Sequence, residues 1–279
     1  MAAPMASSHG RFLWYELATT DVAAARAFYT NVVGWDAQDA SVPGMDYILF
    51  NAGKATVSGL TDLPEAARKS GATPTWFGYV GVDDVDAAAA RARELGGRVL
   101  VPPSEIPNLS RYSVIADPQM ATLALVKWRK AGRDQPTELD APGGVGWHEL
   151  LTADGDEALA FYGGLFGWQR ADDGTTNGYR LFSAGGRTIG DISTVPGTAP
   201  EPFWLYFFNV GDIDAAAKRV KASGGLILNS PADVADGSQI VHCRDPQGAM
   251  FALVGKRPYR GLGYFPRATS RDPSGVRFG

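Results

Sequence analysis

The stretch Trp14-Tyr15-Glu16-Leu17 occurs a second time in the chain, as Trp147-His148-Glu149-Leu150. The same spacing of 133 positions separates three further pairs of anchors: Asp21 and Asp154, Phe28-Tyr29 and Phe161-Tyr162, and Gly34-Trp35 and Gly167-Trp168. Later anchors are 128 positions apart: Trp76 and Trp204, and Asp117-Pro118-Gln119 and Asp245-Pro246-Gln247. A constant spacing over separate anchors indicates a tandem duplication, with a second copy that is shorter in its middle.

The duplication divides the chain into two modules, predicted to span residues 10–130 and 144–256. The segment between them, 131–143, carries Gly, Pro and charge without an apolar period, and is predicted to be a linker. Residues 1–9 are predicted to be a flexible arm. The Gly-, Pro- and Arg-rich tail, 257–279, is expected to lie on the surface or to be mobile.

Composition excludes several classes of protein. The 279 residues are 45% hydrophobic and 20% charged, with a net charge of -4, so the chain is globular and lacks the basic character of a nucleic-acid binder. One cysteine cannot form an intrachain disulfide. No signal peptide and no apolar run long enough to span a bilayer is visible. We therefore expect a cytoplasmic protein with no membrane partner, either a monomer or a homodimer.

Each copy is predicted to contain two units of the order βαβββ, four in the chain. In the first unit a short strand, Leu13 to Ala18, leads through N-cap residues into an Ala-rich helix that Gly34 ends. A second Ala-rich helix is expected over Asp83 to Leu95. The predicted fold class is α+β, with two curved, cup-like mixed sheets that carry their helices on the convex faces.

Alternation along a strand assigns its side chains to the two faces of the sheet. If Tyr15 and Leu17 pack on the first helix, Trp14 and Glu16 face the concave side. The same reasoning places Trp147 and Glu149 in the second cup, with His148 on the helix side. Trp76 and Trp204 are expected under the helices.

The anchors resemble the vicinal oxygen chelate superfamily, which includes glyoxalase I, bleomycin-resistance proteins and extradiol dioxygenases. The resemblance rests on strand-Asp21-helix-Phe28-Tyr29-Gly34, on Val82-Asp83-Asp84-Val85-Asp86 before the second helix, and on the Asp117-Pro118 and Asp245-Pro246 turns. It covers nearly all of residues 10–256. The paired Trp-x-Glu-Leu strands look like a two-module bacterial subgroup described as glyoxalase-like or hydroxylase-like.

Metal-dependent members of this superfamily hold a divalent ion with His, Gln or Glu on the inner strands. In this chain the corresponding positions are apolar in both copies: Trp14, Phe77, Ala124, Trp147, Leu205 and Ala252. A catalytic site needs about three protein ligands. His148, His242 and Glu149 are an alternative set, but alternation places His148 and Glu149 on opposite faces. We therefore predict no cofactor; a divalent metal stays possible and is disfavoured.

The remaining candidate residues lie on the inner strands. Glu16 and Glu149 are candidates for an acid or base, or for a structural carboxylate bonded to a Trp, Tyr or Arg. Tyr79 and Phe207 are expected to point inward like their neighbours, followed by Asn209. The aromatic and apolar set would wall a pocket for a planar small molecule. Cys243 is either a nucleophile or a small buried residue, the second being favoured.

Three functions are compatible with these residues. The favoured one is a metal-free protein that binds a small hydrophobic or aromatic metabolite. The second is a metal-independent enzyme, such as a lyase, isomerase or hydroxylase-like protein, that uses Glu16 or Glu149. The third, a metal-dependent lyase or dioxygenase, is disfavoured by the missing ligands. The first two predict a cavity between the inner faces.

Overall fold

The computed structural model describes residues 8–42, 44, 46–129, 140–171, 179–195, 201–234 and 237–257. The first half runs β1 (Phe12–Thr19), α1 (Val22–Val33), β2 (Asp36–Asp39), β3 (Tyr47–Ala52), β4 (Ala55–Asp62), α2 (Glu65–Lys69), β5 (Thr75–Gly81), α3 (Val85–Glu94), β6 (Arg98–Ile106), β7 (Ser110–Ala116) and β8 (Thr122–Trp128). The second half runs β9 (Val145–Thr152), α4 (Gly155–Phe166), β10 (Gln169–Arg170), β11 (Tyr179–Ala184), β12 (Arg187–Thr194), β13 (Phe203–Val210), α5 (Ile213–Ala222), β14 (Leu226–Ile227), β15 (Ala232–Asp233), β16 (Gln239–Arg244) and β17 (Met250–Gly255).

The four long helices begin in the same way. Each follows an extended aspartate whose carboxylate accepts a hydrogen bond from a backbone N–H of the first turn: Asp21, Asp84, Asp154 and Asp212. Gly34 and Gly167 end α1 and α4 in the left-handed conformation that glycine adopts without strain. No helix in the described part of the chain is long and apolar enough to cross a membrane.

Each module forms one mixed sheet within the chain. The first sheet has the order β2-β3-β4-β1-β5-β8-β7-β6, and the second has the order β10-β11-β12-β9-β13-β17-β16-β14, with β15 added on β16. The central strands β1 and β5 pair antiparallel, and each also pairs in parallel with an outer strand, β4 or β8. The α+β class and the two curved sheets expected from the sequence are thus confirmed.

Two elements of the first half differ from the sequence prediction. The edge strand β2 has a polar sequence and exposed side chains, so it shows no hydrophobic alternation. The short helix α2 buries none of its residues. The predicted arm, linker and tail lie mostly outside the described residues, and only residues 8–9, 140–143 and 257 of these segments are described.

The two modules pack through their helix-side faces and share one hydrophobic core. At the centre, equivalent residues of the two copies meet: the Tyr15 hydroxyl lies 2.6 Å from Nε2 of His148. The Tyr206 hydroxyl accepts a hydrogen bond from the backbone N–H of Gly78, its counterpart 128 positions earlier, at 2.7 Å. A Cβ at Gly78 would clash with Tyr206 and Phe12. The duplication therefore gives the molecule an internal pseudo-twofold arrangement.

The interface between the modules explains why the tyrosine and aspartate anchors are repeated in the two copies. The Tyr29 hydroxyl donates to Asp245 at 3.0 Å, and the Tyr162 hydroxyl donates to Asp117 at 3.1 Å. Each aspartate also accepts backbone N–H groups of its own turn. The first helix of each module is thus bonded to the last turn of the other module.

Two glycines, each near the start of a module, accept hydrogen bonds from the other module. Trp35 donates its indole N–H to the carbonyl of Gly143 at 2.7 Å, and Trp168 donates to the carbonyl of Gly10 at 2.6 Å. Both glycines have positive φ angles, and a Cβ on either would meet an atom of the other module within 3 Å.

The inner faces of the two sheets point away from this shared core. Along β1 and β5, Tyr15 pairs with Gly78 and Leu17 pairs with Trp76 on the helix side. The intervening residues face the opposite way. The expectation of a cavity between the two inner faces is therefore wrong, because the helix-side faces bury each other. A ligand site on an inner face would therefore lie within a single cup.

Candidate functional site

The inner face of the first sheet, here cup 1, is built on the central strands. Trp14 pairs with Tyr79, which pairs with Ala124, so the three residues form one row across β1, β5 and β8. Glu16 and Phe77 form the next row. The Trp14 ring is buried and packs edge-on against Trp128, with centroids 6.4 Å apart.

Glu16 is held by two phenols in cup 1. Tyr47 donates its hydroxyl to Oε2 at 2.5 Å, and Tyr79 donates to Oε1 at 3.0 Å. Burial raises the pKa of Glu16, and the two phenol hydrogen bonds offset part of that rise. Burial, followed by the charge of Glu16, raises the pKa of Tyr79. Gly59 lies opposite Glu16 on β4, where a Cβ would overlap the Tyr47 hydroxyl.

The inner face of the second sheet, here cup 2, has an apolar wall. Leu205, Phe207 and Ala252 form a buried cluster separate from the main core. Trp147 packs against this cluster and is partly exposed. Phe207 pairs with both Trp147 and Ala252 across the central strands. The wall is therefore continuous over β9, β13 and β17.

A polar group adjoins this wall in cup 2. Glu149 on β9 lies opposite Asp191 on β12. Asp191 accepts the Trp147 indole N–H on Oδ1 at 2.5 Å and the Ser193 hydroxyl on Oδ2 at 3.0 Å. Nε2 of His242 lies 3.7 Å from Oε2 of Glu149, beyond hydrogen-bond distance, and this buried nitrogen has no hydrogen-bond partner among the described residues.

The titratable groups of cup 2 influence one another. Burial, followed by the charge of Glu149, raises the pKa of Asp191 to about 6, and the hydrogen bonds from Trp147 and Ser193 offset part of the rise. Burial raises the pKa of Glu149 as well, with a smaller opposing contribution from Ser193. Burial lowers the pKa of His242, while the Asp191 carboxylate acts in the opposite direction. Burial therefore raises the pKa of both carboxyl groups of cup 2 and lowers that of the neighbouring imidazole.

Several residues of these clusters escaped the sequence analysis. Tyr47, Asp191 and Ser193 are on the third and fourth strands of their units, and none belongs to an anchor of the repeat. Asp191 occupies the place that Gly59 holds in the first sheet, because each lies opposite the glutamate of its copy. An alignment of the two copies that allowed for the shorter middle could have found this replacement.

Other candidate residues make hydrogen bonds within the protein. His148 lies on the helix side, as expected: it accepts the Tyr15 hydroxyl, and its Nδ1 lies 2.7 Å from the carbonyl of Ile189. The side-chain amide of Asn209 donates to the carbonyl of Ala141 at 3.0 Å. A ligand that contacts Asn209, as predicted, would bind an amide that already makes this hydrogen bond. Trp76 and Trp204 donate to Tyr29 and Tyr162 in the core.

Cys243 does not have the character of a nucleophile. Its side chain is fully buried, and burial raises the pKa of its thiol to about 12. A nucleophilic cysteine needs the opposite change, since the thiolate is the reactive form. The favoured interpretation of Cys243 as a small buried residue fits this environment.

The inner positions do not fit a divalent metal ion. The six positions that correspond to ligands in metal-dependent relatives carry indole, phenyl, isobutyl or methyl groups, and none offers a lone pair suited to a metal. Among the described residues, no group of three His, Cys, Asp or Glu side chains is arranged to hold an ion. His148 is separated from Glu149 and His242 by the sheet itself.

Comparison with known proteins gives a consistent family. Residues 11–125 and 144–253 each match the Glyoxalase/Bleomycin resistance protein/Dioxygenase superfamily. The chain is 34% identical over 249 residues to the protein named "Putative glyoxylase CFP32" of Mycobacterium tuberculosis, covering 88% of this chain and 94% of that one. It is 32% identical to the anthracycline biosynthesis protein DauV of Streptomyces sp. (strain C5), covering 86% and 91%.

Solved structures share the fold at low sequence identity. The Mn(II)-bound glyoxalase from Novosphingobium aromaticivorans superposes with a TM-score of 0.60 at 17% identity, covering 90% of this chain and 83% of that one. The 2,3-dioxygenase LapB from Pseudomonas sp. KL28 gives 0.58 at 13%, covering 88% and 92%. The two matched modules and the paired sheets therefore agree: the chain belongs to the Glyoxalase/Bleomycin resistance protein/Dioxygenase superfamily.

Proposed function

We propose that the chain binds a small, planar aromatic molecule against an inner sheet face, without a metal ion. The observation that carries the proposal is the replacement of all six inner ligand positions by Trp, Phe, Leu and Ala. Such side chains favour the burial of an aromatic ring, since each square ångström of apolar surface removed from water contributes about 25 cal/mol.

Cup 2 has the features of a binding wall. Leu205 and Ala252 are buried, while Trp147 is partly exposed beside them. Phe207 contacts His242 edge-to-face, with ring centroids 5.8 Å apart. An apolar wall with a few polar groups at its side is typical of small-molecule sites. The names of the relatives DauV and DnrV, both anthracycline biosynthesis proteins, support an aromatic ligand.

The metal-free part of the proposal is tested by binding in the presence of a chelator. Titration of the full chain with 2-hydroxyanthraquinone, a planar aromatic phenol, is expected to quench tryptophan fluorescence equally with EDTA and with added Mn²⁺. A binding signal that disappears in EDTA and returns with Mn²⁺ would contradict the proposal. The variant Phe207→Ala should weaken binding about tenfold through lost ring contact, whereas Glu157→Gln on the exposed start of α4 is the control.

A second candidate is a metal-independent acid–base enzyme. The observation that favours it is the group Glu149, Asp191 and His242, in which the pKa of Asp191 is raised to about 6. A base positioned in this way typically contributes 10²–10⁴-fold to a proton transfer, that is, roughly 3–5 kcal/mol. Glu149 would be the proton acceptor, since it lies between the other two.

Proton exchange can be measured without knowledge of the natural substrate. β-Tetralone, an enolisable aromatic ketone, is incubated with the protein in D₂O, and deuterium uptake next to the carbonyl is followed by NMR. The enzyme hypothesis expects exchange above the buffer rate that Glu149→Gln abolishes while binding is retained. If the wild-type protein exchanges deuterium only at the buffer rate, the enzyme hypothesis is contradicted and the proposed binding function is unaffected.

A further inference from the structure

The two cups treat the same glutamate differently. In cup 1 the carboxylate of Glu16 receives the hydroxyls of Tyr47 and Tyr79. The residue of cup 2 that corresponds to Tyr79 is Phe207, because each pairs with the tryptophan of its own first strand. Phe207 has no hydroxyl, so Glu149 does not receive the phenol that Glu16 receives from β5.

Among the described residues, the other polar groups of cup 2 replace that phenol only in part. The Ser193 hydroxyl oxygen lies 3.0 Å from Oδ2 of Asp191 and also interacts with Glu149, so the two carboxyl groups share its single proton. Trp147 also donates to Asp191. The Nε2 atom of His242 is 3.7 Å away from Glu149, too far for a hydrogen bond. A buried carboxylate that shares one hydroxyl proton with a second carboxyl group is incompletely hydrogen-bonded, and a bound donor can recover the free-energy cost.

We infer that cup 2 binds an aromatic ligand that carries a phenolic hydroxyl, and that this hydroxyl donates to Glu149 in the way that Tyr79 donates to Glu16. The inference rests on the proposed metal-free binding of aromatic molecules and identifies the ligand class and the cup. Cup 1 supplies the internal example of the interaction, since a phenol, a carboxylate and an indole meet there within one chain. Each chain then binds one ligand.

Glu149 can also accept the phenolic proton. When the ligand O–H bond breaks, its electron pair stays on the ligand oxygen and the proton forms a new O–H bond on Glu149. Because Nε2 of His242 lies 3.7 Å from Oε2 of Glu149, the proton stays on Glu149 in this arrangement. Asp191, Trp147 and Ser193 face Glu149 from β12 and β9, and His242 faces it from β16.

The experiment compares two ligands of the same shape on the full chain. 2-Hydroxyanthraquinone carries one phenolic hydroxyl that is too far from the ring carbonyls for an internal hydrogen bond, and anthraquinone has the same ring system without it. Native mass spectrometry is expected to show one 2-hydroxyanthraquinone per chain, and fluorescence titration is expected to show roughly ten- to hundredfold weaker binding of anthraquinone, the range for a hydrogen bond to a charged group. Equal affinities, or two ligands per chain, would overturn the inference and leave the proposed function standing; binding of neither compound would contradict both.

Variants then assign the site. Phe207→Tyr places an internal phenol at the position of Tyr79 and should lower the affinity for 2-hydroxyanthraquinone at least about tenfold by occupying Glu149. Glu149→Gln should weaken the binding of 2-hydroxyanthraquinone about tenfold more than Glu16→Gln does, with Glu157→Gln as the control. An effect of Glu16→Gln as large as that of Glu149→Gln would place the ligand in cup 1 and overturn the inference. Thermal unfolding of each variant verifies that the fold is retained.

Discussion

Cup 1 and cup 2 descend from one duplicated module, yet they surround the glutamate on their inner face with different polar groups. Cup 1 surrounds Glu16 with tyrosine hydroxyls, and Gly59 leaves the space for one of them. Cup 2 places a second carboxyl, Asp191, at the position of Gly59 and a histidine, His242, at the position of Val114. The comparison teaches that the same backbone can hold either a carboxylate bonded by two phenols or a pair of carboxyl groups whose pKa values are raised by burial.

The largest expected effect concerns the point where the two copies meet. His148 is buried, and burial lowers its pKa to about 4 from 6.5. Between these values the unfolded chain binds more protons, so this group's contribution to stability is lost as the pH falls from 7 to 4, by about 3 kcal/mol. Urea unfolding at pH 5 and pH 7 should show a smaller decrease for His148→Gln than for the wild type. Equal decreases would contradict the buried neutral imidazole.

Removal of both phenols tests how much they stabilise the carboxylate of cup 1. Tyr47→Phe combined with Tyr79→Phe leaves Glu16 without either donor, and should destabilise the fold by roughly 2 to 3 kcal/mol at pH 8. The loss should be smaller at pH 4, because the carboxyl then takes up a proton. Chemical unfolding at both values measures it. A loss that does not depend on pH would mean that the rings matter through packing alone.

Asp191→Asn tests the carboxyl pair of cup 2. The pKa of Asp191 is raised from 3.8 to about 6 in the folded chain. Between these pH values the folded chain binds more protons than the unfolded chain, so the free energy of unfolding falls as the pH rises from 4 to 6. Asparagine removes this loss, and the difference between pH 4 and pH 7 should shrink by about 2 kcal/mol. Asp36→Asn on the exposed edge strand is the matched control. An unchanged pH profile would mean that Asp191 ionises as freely in the folded chain as in the unfolded one.

The smallest expected effect concerns the tryptophan of cup 2. Trp147→Phe removes the indole donor that lowers the pKa of Asp191, so that pKa should rise further, by about 1 pH unit or less. Carboxyl carbon NMR titration follows it directly. A fall in this pKa would show that the indole acts through burial of Asp191 and not through its hydrogen bond.

Local patterns in the sequence were sufficient for the faces of the central strands. Alternation correctly separated Glu16 from Tyr15 and His148 from Glu149, because side chains on a strand point to opposite faces. The Asp N-caps were likewise visible, since a cap acts within one turn.

Contacts that depend on strand pairing could not be predicted in the same way. Asp191 meets Glu149 only because β12 pairs with β9 in one particular register, over a separation that contains a helix and two strands. Register is determined by the packing of the whole sheet. The shared core between modules was missed for the same reason, and the module boundaries themselves stay a prediction.

The crossed bonds from Tyr29 to Asp245 and from Tyr162 to Asp117 have an evolutionary consequence. Either half expressed by itself would expose the surface that the other half covers, so loss of one half should destabilise the other. Selection for a folded protein then acts mainly on the buried interface between the modules and leaves the two cups free to diverge. A duplicated protein of this kind can keep one cup for structural support while the other acquires new chemistry.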